Sequence, residues 1–301
     1  MPSDGPVPLS IVIASCVGAP FITRCLESLA PQCAQASVEV IVADRIGGDV
    51  ATSIERAFPW VTLLRRPEGE SVPDLRRHGI GAGHGTHVAI IEEHCVARED
   101  WVATLLRCIR EPAAAIGGPV VDANYARLVD WAVYFTEYNS YMPPVRRGET
   151  SDVCAANCVY RRDILLQYLP AAGSGYWEAG VNQTLLARGE RFLCEPDLVV
   201  YHTGPFGLRY YLWQRFLFSR AFAGIRRAYV SPAVRLVYLV LAPLLVPLLL
   251  ARTAQRVFTK RHRVGKFLQV LPLLIPITVT YVVGEWIGFL IGPGDSLSKI
   301  E

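Results

Sequence analysis

Residues 86–94 read THVAIIEEH: an apolar, largely β-branched run that stops abruptly at two carboxylates and an imidazole. The run is too short for a stable helix and does not alternate, so it reads as a strand covered on both faces, the interior type of a parallel sheet. Working outward, residues 9–14 (LSIVIA) form a second such run, between Pro8 and the turn Ser15-Cys16-Val17-Gly18. Residues 38–43 (VEVIVA) form a third, ending in Asp44, and residues 61–64 a fourth. Helical patterns lie between them: residues 20–29, with Phe21, Cys25, Leu26 and Leu29 on one face, and residues 74–83, where several glycines weaken the pattern. Strands alternating with helices imply a doubly wound, mostly parallel sheet. Ligands of such sheets bind outside the carboxyl ends of the strands. Ser15, Asp44, Glu92, Glu93 and His94 are candidates by that position alone.

Further along, a helix is expected at residues 99–110 and a strand at 114–121, followed by an aromatic stretch at 125–141 that either packs as a helix or lines a cleft. The segment 154–165, CAANCVYRRDIL, is mixed polar and apolar. A helix follows at 178–188, then short strands at 192–193 and 198–201, closed by His202.

Charge divides the chain. Between residues 205 and 266 there are twelve Arg or Lys and no Asp or Glu, whereas the other 18 basic residues (30 − 12) face all 27 acidic ones. The basic region is interleaved with Leu, Phe, Trp and Tyr and leads into two long apolar runs, so its partner is lipid and not nucleic acid. Residues 206–229 suit a helix lying in the headgroup plane, with arginines snorkelling and rings at the interface. Residues 236–251 are apolar but short for a span and interrupted by Pro243 and Pro247, which leaves a re-entrant hairpin open; residues 267–291 are long enough to cross. Glu285 within the latter is costly in lipid and should face protein or the interface. Eight cysteines without a CxxC pair read as free thiols in a reducing compartment. The N-terminus has no apolar leader, so the catalytic part is expected in the cytoplasm. The glycines at 79, 81, 83 and 85 do not make GxGxxG and do not directly follow a strand, which argues against dinucleotide binding.

In order and spacing, these segments resemble family 2 glycosyltransferases of the GT-A fold, a Rossmann-like sheet flanked by helices, from residue 9 to about 202. LSIVIAS resembles the family's first strand and EVIVADR its second, where an acidic residue touches the nucleotide base; Ser15 and Asp44 take those places. LRRHGIGAGHG resembles the arginine-bearing helix under the diphosphate, with Arg76 in the matching position. The fourth strand of the family ends in Asp-x-Asp around a divalent cation; here Glu92 and His94 stand in those positions, a donor pair better suited to Mn²⁺ than to Mg²⁺. YWEAGVNQTLLARGERF resembles the helix that carries the catalytic base, which places Glu178 as base and Trp177 beside it, and His202 matches a histidine near the metal.

The resemblance implies an inverting transfer of a sugar from a nucleotide-sugar donor to a lipid-linked or membrane-proximal acceptor, of the kind used in cell-envelope polysaccharide or glycolipid synthesis. Glu178 would act as general base and Arg76 would neutralise the diphosphate. Glu93, Asn157, Arg161, Arg162 and Trp177 are expected on the diphosphate or acceptor side. The implied organisation is a catalytic domain over residues 1–204, an interfacial helix over 205–230 and membrane segments over 231–301, with the catalytic domain on the cytoplasmic face of the cell membrane. Each residue also has a plainer role open to it: Asp44 as a loop cap, Glu178 as a first-turn acid, the tryptophans and His202 as packing. The replaced Asp-x-Asp leaves a second function open, an inactive membrane-bound scaffold or sensor that binds nucleotide sugars.

Overall fold

The computed structural model describes residues 7–169, 175–204 and 206–300. Residues 1–6, on which the reading of the N-terminus rests, lie outside the described part, as does Pro205 at the domain boundary. In chain order the elements are β1 (Leu9–Ser15), α1 (Ala19–Cys33), β2 (Val38–Asp44), α2 (Gly48–Ala57), β3 (Val61–Arg65), α3 (Val72–Ala82), β4 (His87–Ile91), β5 (Cys95–Ala97), α4 (Trp101–Cys108), β6 (Ala115–Gly117), β7 (Val120–Asp122) and α5 (Leu128–Glu137). There follow β8 (Gly148–Thr150), β9 (Asn157–Arg161), α6 (Arg162–Tyr168), α7 (Glu178–Ala187), β10 (Phe192–Cys194), β11 (Val200–His202), α8 (Leu208–Arg226), α9 (Pro232–Lys260) and α10 (Val264–Ile291). They fall into two compact units. One runs to Ala123 and resumes at Tyr141–Thr203; the other combines Asn124–Ser140 with the chain from Gly204 onward.

The first unit is built on an eight-stranded sheet of order β3-β2-β1-β4-β9-β6-β10-β8. β1 is buried at every position and pairs in parallel with β2 and β4, as its unalternating sequence requires. Ser71 caps α3 by accepting from the Asp74 N–H, and Pro73 occupies its first turn. Gly79 is no defect in that helix: a Cβ there would lie 2.4 Å from Val12 Cγ1, so the glycine lets α3 settle directly on β1.

Two expectations change. The strand at 114–121 is two strands, broken at Gly118-Pro119; β6 stays in the large sheet while β7 joins β11 and β5 in a three-stranded sheet. The Leu198 carbonyl lies 1.8 Å from where a Gly118 Cβ would sit, so the backbone must bend there without a side chain. The segment 154–165 contains β9, which runs antiparallel to both β4 and β6, with Ile91 opposite Asn157 and His87 opposite Arg161.

In the second unit, α8 packs along α10 through small residues. A Cβ on Gly284 would meet Ser219 Oγ at 2.0 Å, and one on Gly288 the Arg220 carbonyl at 2.4 Å. α8 is therefore seated closely against α10. Glu285 is 8% exposed and pairs with Arg226 of α8 at 3.2 Å, which answers the cost of a carboxylate in an apolar helix. α9 continues unbroken through Pro243 and Pro247 for 29 residues, and the chain reverses after it, at Arg261–Arg263, not inside 236–251. Residues 124–140, which the sequence reading places in the catalytic domain, belong here because Trp131, Tyr134 and Phe135 are fully buried, Phe135 against Phe267 of α10.

Candidate active site

The carboxyl ends of β4 and β11 and the start of α7 bring distant residues together around one arginine. Arg76, 9% exposed on α3, donates Nη2–H to Glu92 Oε1 at 3.0 Å and Nη1–H to Glu178 Oε2 at 3.2 Å. The other oxygen of Glu92 lies 3.2 Å from His94 Nε2. The His94 ring stands edge-on to His202, with centroids 5.1 Å apart. Residues 76, 92, 94, 178 and 202, scattered over more than a hundred positions, thus form one continuous polar cluster.

The approach of α7 to α3 has a local cause. Gly175 adopts φ +60°, where a Cβ would strike Pro73 at 2.4 Å, and the next N–H, of Tyr176, donates to the Pro73 carbonyl at 2.7 Å. That tie delivers Glu178 to Arg76 one turn further along α3.

The electrostatics follow from burial and neighbours. Burial pushes the Glu178 carboxyl up to about 7; Arg76 opposes the rise, while the charges of Glu92 and Asp152 add to it. Its side chain is still 34% exposed, so solvent reaches it. Burial and the neighbouring His94 push the His202 imidazole down to about 3. For His94 burial works the other way, but its hydrogen bond to Glu92 and the charges of Glu92 and Glu93 outweigh it and its pKa is raised.

The remaining candidates have other surroundings. Glu93, 2% exposed, accepts from the backbone N–H groups of Cys16 and Val17 at 2.8 Å each and from the Cys16 thiol at 3.0 Å, stitching the β1–α1 turn to the end of β4. Ser15 donates to Asp44 Oδ1 at 2.7 Å, and Asp44 Oδ2 accepts from the Gly47 N–H at 2.8 Å; neither residue has any exposure. They brace the loop after β2 as a cap. Asn157 is also spent on structure: Nδ2 donates to the carbonyls of Pro119 and Leu198, and Oδ1 accepts from Trp101 Nε1. Trp177 is the half-buried residue just before α7.

Arg161 and Arg162 need correcting. Because β9 is antiparallel, its last residue lies opposite His87 at the start of β4, and the Arg162 N–H bonds to the Thr86 carbonyl. Four residues of strand, about 13 Å, separate them from the crevice end. Arg161 pairs instead with Asp163. Tyr141, at the end of the aromatic stretch that packing or a cleft could claim, donates its hydroxyl to Asp152, a residue that no spacing pattern marks.

Could this cluster hold a divalent cation? Among the described residues no three His, Cys, Asp or Glu side chains already surround one point. Both oxygens of Glu92 are engaged, yet Glu93 Oε2 is buried without a hydrogen-bond partner among the described residues, and His202 is neutral. Carboxylate and imidazole donors of this kind suit Mn²⁺ more than Mg²⁺, with coordination completed by oxygens of a bound diphosphate.

The sheet carries carboxylates and imidazoles at its strand ends, facing a helix-borne carboxylate. The pattern described as glycosyl transferase family 2 matches residues 10–169, more than half of the chain. The chain belongs to that family and is a glycosyltransferase. Its fold is similar to that of the mannosyltransferase PcManGT from Pyrobaculum calidifontis, solved with GDP-Man and Mn²⁺, at 15% identity and a TM-score of 0.57 over 96% of this chain and 88% of that one. It is also similar to TarS 1–349 of S. aureus, at 14% identity and a TM-score of 0.50 over 93% and 89%. At such identities the likeness is one of fold. No protein of curated function matches the sequence.

Proposed function

We propose that the enzyme transfers a sugar, with inversion, from a nucleotide-sugar donor to a hydroxyl of a lipid-linked or membrane-proximal acceptor. The observation that carries this reading is the Arg76 bridge between Glu92 and Glu178, which joins a diphosphate-binding strand end to a carboxylate suited to be a base.

In the reaction, the acceptor oxygen attacks the anomeric carbon as the bond to the diphosphate breaks, and the diphosphate leaves with the electron pair. Glu178 takes the acceptor proton; its pKa near neutrality suits that task, which is worth roughly 10² to 10⁴ in rate. Arg76, always charged, faces the developing negative charge and keeps Glu178 from rising further. Glu92, Glu93, His94 and His202 would hold a divalent cation, which supplies Lewis-acid neutralisation of the diphosphate when bound.

Two helices are long and apolar enough to cross a bilayer, α9 and α10. The turn between them is basic, and short basic loops stay cytoplasmic. Arg256 binds Asn139 Oδ1, and Lys260 binds the carbonyl of Ser140, the residue next in the chain to Tyr141.

The test is a thermal-shift panel of UDP-, GDP- and dTDP-sugars with and without Mn²⁺ on the detergent-solubilised full chain, since a ligand stabilises by RT ln(1 + [L]/Kd). One donor family should raise Tm, more so with Mn²⁺; no stabilisation by any member would refute the reading.

A further inference from the structure

Asp152 is an exposed aspartate held by an unusual amount of structure. Its Oδ1 accepts from Asn182 Nδ2 at 2.7 Å, and its Oδ2 accepts from the Tyr141 hydroxyl at 2.5 Å. Asn182 is itself fixed: Nδ2 also donates to the Val153 carbonyl at 2.9 Å, and Oδ1 accepts from the Tyr160 hydroxyl at 2.7 Å, which in turn accepts from the Tyr176 hydroxyl at 2.9 Å. Tyr160 and Tyr176 have no exposure and Asn182 only 2%. A buried chain of donors, each satisfied by the next, therefore ends on a carboxylate at the surface. A side chain serving only solubility would need none of this.

Its position is beside the base. Glu178 and Asn182 lie four residues apart on α7, so their side chains share one face of that helix. Asn182 grips Asp152, while Glu178 accepts from the backbone N–H of Ala155, three residues further along the same loop. Two carboxylates thus flank one stretch of crevice wall, and the only cation bound to either is Arg76, already shared between Glu178 and Glu92 among the described residues.

Two anionic groups at the point of attack choose the acceptor by charge. A phosphate monoester would meet like charges, which costs several kcal/mol at such an interface, and its oxygen, already ionised, would need no base. A sugar or polyol offers an O–H for Glu178 to deprotonate and a neighbouring O–H to donate to Asp152. We infer that Asp152 is a specificity-determining residue of the acceptor site, and that the acceptor presents the uncharged hydroxyls of a sugar or polyol and not a lipid phosphate. This rests on the proposed transfer reaction. Its chemistry balances within that reaction: the acceptor O–H proton passes to Glu178, the new C–O bond forms at the anomeric carbon, and the nucleoside diphosphate leaves.

The experiment uses the full chain in a sugar-free polyoxyethylene detergent, with the donor identified by thermal shift. Transfer is compared between a panel of short-chain alkyl hexosides and farnesyl phosphate, in wild type, Asp152→Asn and Tyr141→Phe. Transfer should go to a hexoside and not to the phosphate. Asp152→Asn should raise KM for the hexoside roughly tenfold or more, the loss of one charged hydrogen bond, with kcat less affected and the donor-induced rise in Tm unchanged. Tyr141→Phe, which removes one hydrogen bond and keeps the ring, should raise the same KM by less, and it carries the test if Asp152→Asn does not fold. Use of farnesyl phosphate, use of no hexoside, or an unchanged hexoside KM in both variants overturns the inference while leaving donor binding intact. If no nucleotide sugar stabilises the protein, the transfer reaction falls and this inference falls with it.

Discussion

At Glu178 the competing effects can be ranked. A carboxylate in the first turn of a helix is normally favoured in its charged form by the helix dipole, and Arg76 at 3.2 Å acts in the same sense. Burial, with Glu92 and Asp152, outweighs both and brings the group to about 7. The folded protein then holds this proton more tightly than the unfolded chain does. The stability contributed by Glu178 is complete below the unfolded value of 4.5 and is lost as pH rises toward about 7, the window in which the base becomes active. We expect kcat/KM to rise with pH on an acid limb set by Glu178, recorded at a fixed Mn²⁺ concentration. Arg76→Met should move that limb to higher pH, because the group opposing burial is gone; an unmoved limb would assign it to another residue. Glu178→Gln should lower kcat by roughly 10² to 10⁴ and keep the donor-induced shift in Tm, and wild-type turnover in this variant would remove Glu178 from the mechanism.

Among the elements, the closest packing is that of α8 on α10, and it depends on glycine. The Arg220 carbonyl lies 2.4 Å from where a Gly288 Cβ would be, and backbone cannot yield as a side-chain tip can. Gly288→Leu is therefore expected to lower Tm in detergent by many degrees. Gly265 on the same helix has nothing within 4 Å, and Gly265→Ala should leave Tm unchanged or raise it slightly, in line with a gain of about 0.4–1 kcal/mol in stability. Equal effects from the two substitutions would show that helix propensity, and not the seam, governs the stability of this unit.

For the whole molecule, the division into units does not follow the chain. α5 is flanked on both sides by the catalytic unit but belongs to the unit containing α8, α9 and α10, with Trp131, Tyr134 and Phe135 fully buried. A chain cut after Thr203 would thus keep α5 and lose its partners. Such a fragment is expected to aggregate or to need detergent in size-exclusion chromatography, and a monodisperse, detergent-free fragment would contradict this account of how the units divide.

The sequence by itself determined the parallel core. Apolar runs such as LSIVIAS and THVAII are stable only when covered on both faces, and their polar ends mark the crevice edge whatever the rest of the chain does. It also determined the apolar tail, because helices of that length and composition have few alternatives to one another or to lipid. Only the tertiary structure decided which polar residues meet. The antiparallel course of β9 carries Arg161 and Arg162 away from the crevice, the hydrogen bonds of Asn157 and Asp44 turn them inward, and a glycine at φ +60° brings Glu178 to Arg76. Strand direction and side-chain pairing between distant segments leave no periodic mark on a sequence, since one carboxylate serves equally as cap, brace or base until its neighbours in space are set.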